Sequence, residues 1–444
     1  IHYASPTIGN TEINNNYASG SGGGIYTYHS DAIFENLNIN NNESGNSGGG
    51  FCINYAGPTI RNTEITTNYA SGSGGGIYSN HSNIILENLN INNNESENTA
   101  GGIYINYNQP IITNCIIESN IAHNYGGGCH IRYNYTGSEM TNCIIRYNTA
   151  YIHGGGYYND AGHVYIYSSI FEENTSYSGG ACYIRNGCSF FTNCEFKGNN
   201  SEFGGGAVYL SHTDSRFINC LFSYNESDFG GAFYTTSYSS AKIINSTIVC
   251  NHAVFNGGGY LTVIDDCTEI YNTIFYYNDT DAIPGNQINI GSAVSETYLK
   301  FCNIQNGLDG ISGHPEIMHP PFYMNNIEAS PLFADSLEDF TLLVYSPCID
   351  TGTLALPDDI ELPEFDLAGN PRIYGDIVDI GGYEWQGTGI NNSQLYILDC
   401  QLDNFPNPFK PSGAGRGPAT TITFSIAQSA VSDLNGSSFV NLEI

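Results

Sequence analysis

Three acidic residues late in the chain are the best candidates for acid–base chemistry. Asp265 and Asp266 are adjacent, and Glu269 follows closely. Hydrolases that cleave glycosidic bonds use two or three nearby acids, and polysaccharide lyases add an Arg or Lys base to carboxylates that hold calcium. A charged surface explains these acids more simply. His153 and the other histidines have no partner motif, and no nucleophile elbow occurs. The sequence therefore predicts no assembled catalytic site.

An aromatic column is the second candidate site. Each glycine-rich run is followed by an apolar residue, such as Ile77, which we expect to point inward. Alternation along a strand then turns the next residue outward. This outward column reads Tyr26, Cys52, Tyr78, Tyr104, His130, Tyr158, Tyr183, Tyr209 and Tyr234. A second outward column, two residues further on, contains Asn54, Asn80, Asn106, Arg132, Asp160 and Arg185.

Tyrosines flanked by Asn and Arg suit stacking on sugar rings and hydrogen bonding to sugar hydroxyls. The predicted ligand-binding residues are Tyr78, Tyr104, Arg132, Tyr158, Tyr183, Arg185, Tyr209 and Tyr234. Two structural roles stay open for the same tyrosines. They could pack under a loop, or they could simply favour strands.

An internal repeat sets the spacing of both columns. Gly-Gly-Gly-Ile-Tyr at 22–26 returns at 74–78, and related glycine runs recur about every 26 residues as far as 257–260. Residues 1–52 and 53–104 are near-duplicates, which a duplication of a two-repeat unit explains. Self-similarity at a fixed period of this length indicates a solenoid.

Two more columns run in register with the glycines. One Asn recurs in all eleven copies, at Asn16, Asn42, Asn68, Asn94, Asn120, Asn148, Asn174, Asn199, Asn225, Asn251 and Asn278. The apolar column contains Ile13, Ile39, Ile65, Ile91, Ile117, Ile145, Phe171, Phe196, Phe222, Ile248 and Phe275. A bend Asn can donate its amide to the next Asn and form a ladder. We expect that ladder rather than metal or sugar ligands, which rarely recur in every coil.

The segments between these columns predict an all-β fold. They are short and alternating, without a helical period, which indicates strands. Asn and Gly tolerate the left-handed conformation of sharp bends. Three short strands separated by bends make one coil, and parallel connections are right-handed. We predict a right-handed three-sided parallel β-helix over residues 1–310, with about eleven to twelve coils stacked about 4.8 Å apart.

The repeat resembles that of polymorphic outer membrane proteins. Those repeats carry Gly-Gly-Ala-Ile and Phe-x-x-Asn, which match Gly-Gly-Ala at 179–181, 205–207 and 230–232 and Phe-x-x-Asn at 171–174, 196–199, 222–225 and 275–278. The first copies depart, with Ile for Phe and a third Gly for Ala. The resemblance implies a secreted or surface β-helix, often adhesive, without implying a particular ligand. The outward tyrosines point to an extracellular polysaccharide or a host or cell-surface glycan as the partner. One alternative is a polysaccharide lyase or glycoside hydrolase of the pectate-lyase-like fold, and another is a purely structural surface protein.

The C-terminal third of the chain lacks the 26-residue repeat. Residues 311–387 predict an irregular acidic closing segment, because a solenoid must cover its last coil. Residues 388–402 form a predicted linker. The motif Asn404-Phe405-Pro406-Asn407-Pro408-Phe409 is similar to the opening of the type IX secretion C-terminal sorting domain, a small β-sandwich. Residues 403–444 depart at Lys410 and at an insertion, 413–419, and lack the later strands. The resemblance implies a truncated domain that engages the type IX secretion machinery.

Composition limits the partners and the compartment. The chain of 444 residues has 43 acidic and 11 basic residues, a net charge of −32, which argues against nucleic acid as a partner. No apolar window is long enough for a transmembrane segment. Because its first residues already lie inside a repeat, we interpret the chain as a fragment or processed form of a secreted or outer-surface protein. No cofactor is evident, although bound Ca²⁺ stays open. Repeat-position cysteines predict buried free thiols, and disulfides of an oxidising compartment stay open as the alternative.

Overall fold

Residues in the left-handed backbone conformation divide each coil into short strands. The computed structural model describes residues 1–107, 109–134, 137–264, 266–282, 286–314 and 319–387. In the first coil Asn10, Asn15 and Gly22 have positive φ values of 52°, 57° and 77°. Asn and Gly reach this conformation more easily than other residues, so the chain turns sharply at each of them.

Four parallel sheets run the length of the repeat region, with one strand from each coil. Within the described residues, the first sheet consists of Thr7–Gly9, Ile33–Glu35, Thr59–Arg61, Ile85–Glu87, Ile111–Thr113, Ser138–Thr141, His163–Tyr167, Cys188–Thr192, Asp214–Ile218, Ser240–Ile244, Cys267–Tyr271, Glu296–Lys300 and Tyr323–Met324. The second sheet consists of Glu12–Asn14, Asn38–Asn40, Glu64–Thr66, Asn90–Asn92, Ile116–Glu118, Ile144–Arg146, Ile170–Glu172, Glu195–Lys197, Leu221–Ser223, Thr247–Val249, Ile274–Tyr276 and Asn303–Ile304.

The third sheet begins with two-residue strands and lengthens later in the chain. It consists of Tyr17–Ala18, Glu43–Ser44, Tyr69–Ala70, Glu95–Ser96, Ile121–Ala122, Thr149–His153, Thr175–Ser178, Asn200–Gly204, Glu226–Phe229, His252–Asn256 and Asp279–Thr280. The fourth sheet consists of Ile25–Tyr28, Phe51–Asn54, Ile77–Asn80, Ile103–Asn106, Cys129–Arg132, Tyr157–Asp160, Cys182–Arg185, Val208–Ser211, Phe233–Thr236, Tyr260–Thr262, Ile288–Ile290 and Ile311–Gly313. A 3₁₀ turn at Gly307–Gly310 precedes the last strand of the fourth sheet, and an antiparallel pair, Phe333–Asp335 with Asp339–Leu342, follows the coils.

This arrangement is a right-handed, three-sided parallel β-helix of about twelve turns, which confirms the predicted fold class. The apolar column lies in the second sheet with Ile13, Ile39 and Ile65 paired in register. From Ile39 onward its side chains are fully buried and belong to one continuous core. The third sheet is additional to the three strands per coil that the sequence predicted.

The Asn column forms a continuous hydrogen-bonded ladder, as predicted. Asn148 donates its side-chain amide to Asn174 Oδ1 at 3.0 Å, and Asn174 does the same to Asn199. Each side-chain oxygen also accepts the main-chain N–H of the preceding Asn, as in Asn148 N to Asn174 Oδ1 at 3.1 Å. The ladder begins at Asn16 and passes from Asn278 to Gln287 Oε1 at 2.9 Å. It therefore pairs the buried polar groups at this bend.

The glycine runs mark the closest approach between coils. A Cβ atom built on Gly49 would lie 2.5 Å from the carbonyl oxygens of both Gly75 and Tyr69. Side chains do not fit at such distances, so the middle glycine of each run is required for space, whereas the first, such as Gly48, has a positive φ of 72°.

The closing segment packs along the outer face of the second sheet. Phe333, Phe340 and Ile380 form an apolar cluster with Val249 and Ile274 of the coils. Arg372 is fully buried and donates to Asn219 Oδ1 at 3.2 Å. Its guanidinium also lies 3.7 Å from Glu384. The predicted linker and sorting domain, 388–402 and 403–444, lie outside the described residues.

Two composition-based expectations can be compared with the structure. The described cysteines are all free, and Cys115, Cys143, Cys194 and Cys220 are buried at one repeat position. Among the described residues no helix has both the length and the apolar character to cross a membrane.

Candidate functional site

The predicted aromatic column forms one in-register row on the fourth sheet. Tyr78 pairs with Tyr104, Tyr158 with Tyr183, and Tyr209 with Tyr234 on adjacent strands. None of the column's rings joins the central apolar core. These residues therefore lie on the outer face of the sheet, as strand alternation predicts.

The rings of this column stack on one another along the rod. Ring centroids are 4.6 Å apart between Tyr183 and Tyr209 and 4.8 Å apart between Tyr209 and Tyr234, with planes within 16° of parallel. Tyr78 and Tyr104 stack at 5.2 Å. Because neighbouring tyrosines occupy each other's faces, the stacked stretch offers ring edges and hydroxyls to a ligand rather than flat stacking platforms.

A second set of rings covers the middle of the column. Tyr125 stacks against Tyr158 at 5.0 Å, and His153 stacks against Tyr183 at 4.2 Å. Phe203 lies against Tyr234 at 5.7 Å. Tyr158 is consequently only 1% exposed, and Tyr104, Tyr183 and Tyr234 are also buried, whereas Tyr78 and Tyr209 are half-buried. Much of the column is therefore packed beneath residues of the segment that precedes the fourth-sheet strands, which is one of the two structural roles left open by the sequence.

Burial keeps these phenols protonated. It raises the pKa of Tyr78 to about 12, and it raises the pKa values of Tyr158 and Tyr209 above their ordinary value. Desolvation opposes the charged form of each phenol. The column therefore presents neutral hydroxyl groups, which can donate and accept hydrogen bonds.

A charged triad crosses three coils beside the column. Asp160 is buried between Arg132, whose Nε lies 3.2 Å from Asp160 Oδ2, and Arg185, whose Nη2 donates to Asp160 Oδ1 at 3.4 Å. The Arg132 contact is an ion pair without hydrogen-bond alignment, because Nε has no hydrogen-bond partner. The side chains of Arg132 and Arg185 remain 38% and 44% exposed. The triad is thus a local positive site on a strongly acidic chain.

His130 occupies the aromatic column between Tyr104 and Tyr158 and meets both rings edge to face. Burial, reinforced by Arg132 and Arg185, lowers the pKa of His130 to about 3. Neither ring nitrogen has a hydrogen-bond partner among the described residues. This histidine is therefore a neutral packing residue at physiological pH.

The acids singled out for chemistry have structural partners. Asp266 accepts the main-chain N–H of Ser239 at 2.8 Å and the hydroxyl of Thr262 at 3.1 Å. Burial raises the pKa of Asp266. Glu269 lies 3.6 Å from the ammonium group of Lys242. Asp265 lies outside the described residues, so the arrangement of the whole trio stays a prediction.

A largely exposed aromatic ladder, which the sequence did not predict, lies at the bend between the fourth and first sheets. Rings stack at centroid distances of 4.8 to 5.5 Å in the order Tyr3, His29, Tyr55, His81, Tyr107 and Tyr133. Each of these residues has a positive φ near 50°. The alternation of Tyr with His at a 26-residue spacing was the available signal, but bends were expected to contain Asn or Gly.

One group in the described part of the chain has the composition of a metal site. The side-chain ligand atoms of Glu95, Glu97 and His123 lie within 4.8 Å of one another on adjacent coils. All three follow or belong to strands of the third sheet, on the opposite side of a bend from the aromatic column.

Comparison with known proteins supports the fold and leaves the activity open. Residues 4–171 match a family model described as a right-handed beta helix region. No curated protein sequence matches the chain. Fold and site together define a right-handed parallel β-solenoid with an aromatic column on one face. Over the matched residues the chain is similar to the right-handed beta helix region family.

Proposed function

We propose that this chain is a secreted or cell-surface protein that binds an extracellular polysaccharide along the fourth sheet. The observation that carries the proposal is the in-register aromatic column with the exposed guanidinium groups of Arg132 and Arg185 beside it. Protonated phenols and guanidinium groups are suitable hydrogen-bonding partners for sugar hydroxyls.

The length of the column supports an extended ligand. Seven consecutive coils, from Tyr78 to Tyr234, each contribute one aromatic residue to the column. A coil spacing of about 4.8 Å lets several of these groups contact one polymer at the same time. Weak single contacts then add through effective concentration. An adhesin function on a host or cell-surface glycan would use the same contacts.

Export supports the same proposal from a separate part of the sequence. Residues 403–444 resemble the opening of a type IX secretion sorting domain, which implies delivery outside the outer membrane. Fusion of residues 403–444 to a periplasmic reporter in a type IX-competent host tests this point. We expect surface exposure of the reporter, and its complete retention in the periplasm would contradict the export proposal.

The binding proposal is tested with a glycan array and a reducing-sugar release assay on the full chain. We expect glycan binding without release of reducing ends. Release would favour the polysaccharide lyase or glycoside hydrolase alternative, and neither binding nor release would favour a structural surface role. Repeating the binding with a chelator shows whether Ca²⁺ bridges the protein to an anionic glycan.

Variants then locate the binding face. Replacing Tyr183, Tyr209 and Tyr234 together by Phe removes three hydroxyls and keeps the ring packing, and we expect affinity to fall more than tenfold. Tyr147→Phe, at an exposed bend of the coil, is the matched control and should bind like the parent. Equal affinity of the triple variant and the parent would mean that the column is only strand-forming surface.

A further inference from the structure

Two glutamates and a histidine converge on the outer side of the third sheet. His123 Nε2 lies 3.0 Å from Glu95 Oε1, and His123 Nδ1 lies 3.0 Å from Glu97 Oε2. Alternation puts Glu95 and Glu97 on one face of their segment, and the next coil places His123 above them. The three side chains are between 30% and 45% exposed, so ions in solution reach them.

The contacts of His123 depend on its proton count, because an imidazolium can donate to both carboxylates whereas a neutral imidazole cannot. A neutral imidazole has one N–H group and one lone pair, so it can satisfy only one of the two carboxylates that face its ring. The second contact then places a lone pair against a carboxylate oxygen. A cation at the lone-pair nitrogen removes that conflict, because it also attracts the carboxylates. Imidazole and carboxylate oxygens are ordinary ligands of Zn²⁺.

Neighbouring residues hold two of the three ligands in place. Tyr69 donates its hydroxyl to Glu97 Oε1 at 3.0 Å, which leaves Oε2 directed at His123. The ring of Tyr151 stacks on His123 at 5.0 Å. Outer partners of this kind orient metal ligands and commonly change affinity by 10- to 100-fold when removed.

The internal duplication provides a comparison within the same molecule. Residues 1–52 repeat almost unchanged as 53–104, so Glu43 is the counterpart of Glu95. The counterparts of Glu97 and His123, however, are Gly45 and Ser71. The duplicated framework therefore occurs once with the ligand set and once without it.

We propose that Glu95, Glu97 and His123 bind a divalent transition-metal ion, independently of the glycan-binding face. Three protein ligands at an open surface leave a coordination position for water or for a ligand group from a partner. Ca²⁺ is a poor fit, because it takes six to eight oxygen ligands. The ion would join two adjacent coils of the third sheet.

Isothermal titration of the full chain with ZnCl₂ tests the proposal. We expect one site that weakens at least tenfold in Glu97→Gln and in His123→Ala, and by about tenfold in Tyr69→Phe. Glu43→Gln, the counterpart in the duplicated coil, and His252→Ala, whose ring lies 3.6 Å from Asp281, should titrate like the parent. Far-UV circular dichroism and melting curves verify that each variant is folded.

Two results would overturn the site. Parent-like titration of both Glu97→Gln and His123→Ala would assign zinc binding to another group of the chain. Absence of binding by the parent up to millimolar zinc would make the cluster an ion-paired histidine only. Neither result bears on the glycan assays, because those variants leave the fourth sheet unchanged.

Discussion

Replacing one interior residue of the Asn ladder should destabilise the solenoid far more than replacing an exposed Asn. Asn174 accepts from Asn148 N and Nδ2 and donates to Ile145 O and Asn199 Oδ1, four hydrogen bonds of 2.8 to 3.1 Å in a buried site. Each hydrogen bond contributes about 1 kcal/mol, and buried donors left unpaired add to the cost. Asn174→Ala should therefore lower the free energy of unfolding by about 4 to 6 kcal/mol.

Two controls separate the ladder from asparagine in general. Asn16 is exposed at the first coil and donates to Asn14 O and to Asn42 Oδ1. Asn88, at another bend, is exposed and donates to Asn62 Oδ1 at 3.1 Å. Exposed hydrogen bonds exchange with water, so Asn16→Ala and Asn88→Ala should each cost about 1 kcal/mol or less.

Urea unfolding gives the overall change, and hydrogen exchange locates it. A repeat array can unfold in parts, so exchange at the Asn148 amide is the sharper measurement. A local loss of about 4 kcal/mol corresponds to exchange about a thousandfold faster, at roughly 1.4 kcal/mol per tenfold. The reasoning is wrong if Asn174→Ala exchanges and unfolds like Asn88→Ala.

Three further outcomes follow from burial and from the sorting-domain resemblance. Burial raises the pKa of Asp379 to about 6 and of Glu384 to about 7. Their protons bind more tightly in the folded state, so the stability they contribute at acidic pH is lost as pH rises through 6 to 7. Melting temperature should therefore fall between pH 5 and pH 8, and Glu384→Gln should reduce that difference. Exposed Cys267 should react with a thiol reagent in the native protein, whereas buried Cys129 should react only after unfolding. Deletion of residues 403–444 should leave the melting of the rod unchanged.

Each of these outcomes has a clear contrary result. A melting temperature that rises from pH 5 to pH 8 would contradict the raised carboxyl pKa values. Modification of Cys129 at the rate of Cys267 would contradict the buried thiol column. A large loss of stability on deletion would show that the C-terminal residues belong to the rod and would remove the basis for a separate sorting domain.

The sequence predicted what repeats in every coil. The Asn and apolar columns recur without exception, so the position of Asn174 at a bend and of Phe196 in the core could be deduced from spacing. The register of Tyr183 over Tyr209 followed from the same period. A constant spacing is enough to predict which residues stack on one another, because neighbouring coils pair at equivalent positions.

The sequence could not predict contacts that depend on the direction of a side chain where the pairing register of the strands shifts. His153 covers Tyr183 from the end of a third-sheet strand where the pairing register shifts. No local pattern shows where such a shift turns a side chain. Glu97 and His123 join two coils, but the corresponding positions of the duplicated unit are Gly45 and Ser71. Periodicity therefore carried no information about this contact.

The Asn ladder has a direction, and that direction affects how the chain can lengthen. Every side-chain carbonyl from Asn42 to Asn278 accepts from the coil before it, so all these amide dipoles point the same way. A coil copied head to tail meets a donor on one side and an acceptor on the other. Tandem duplication, as in 1–52 and 53–104, therefore preserves the polar axis of the rod, whereas a coil in the reverse orientation would oppose two carbonyl oxygens.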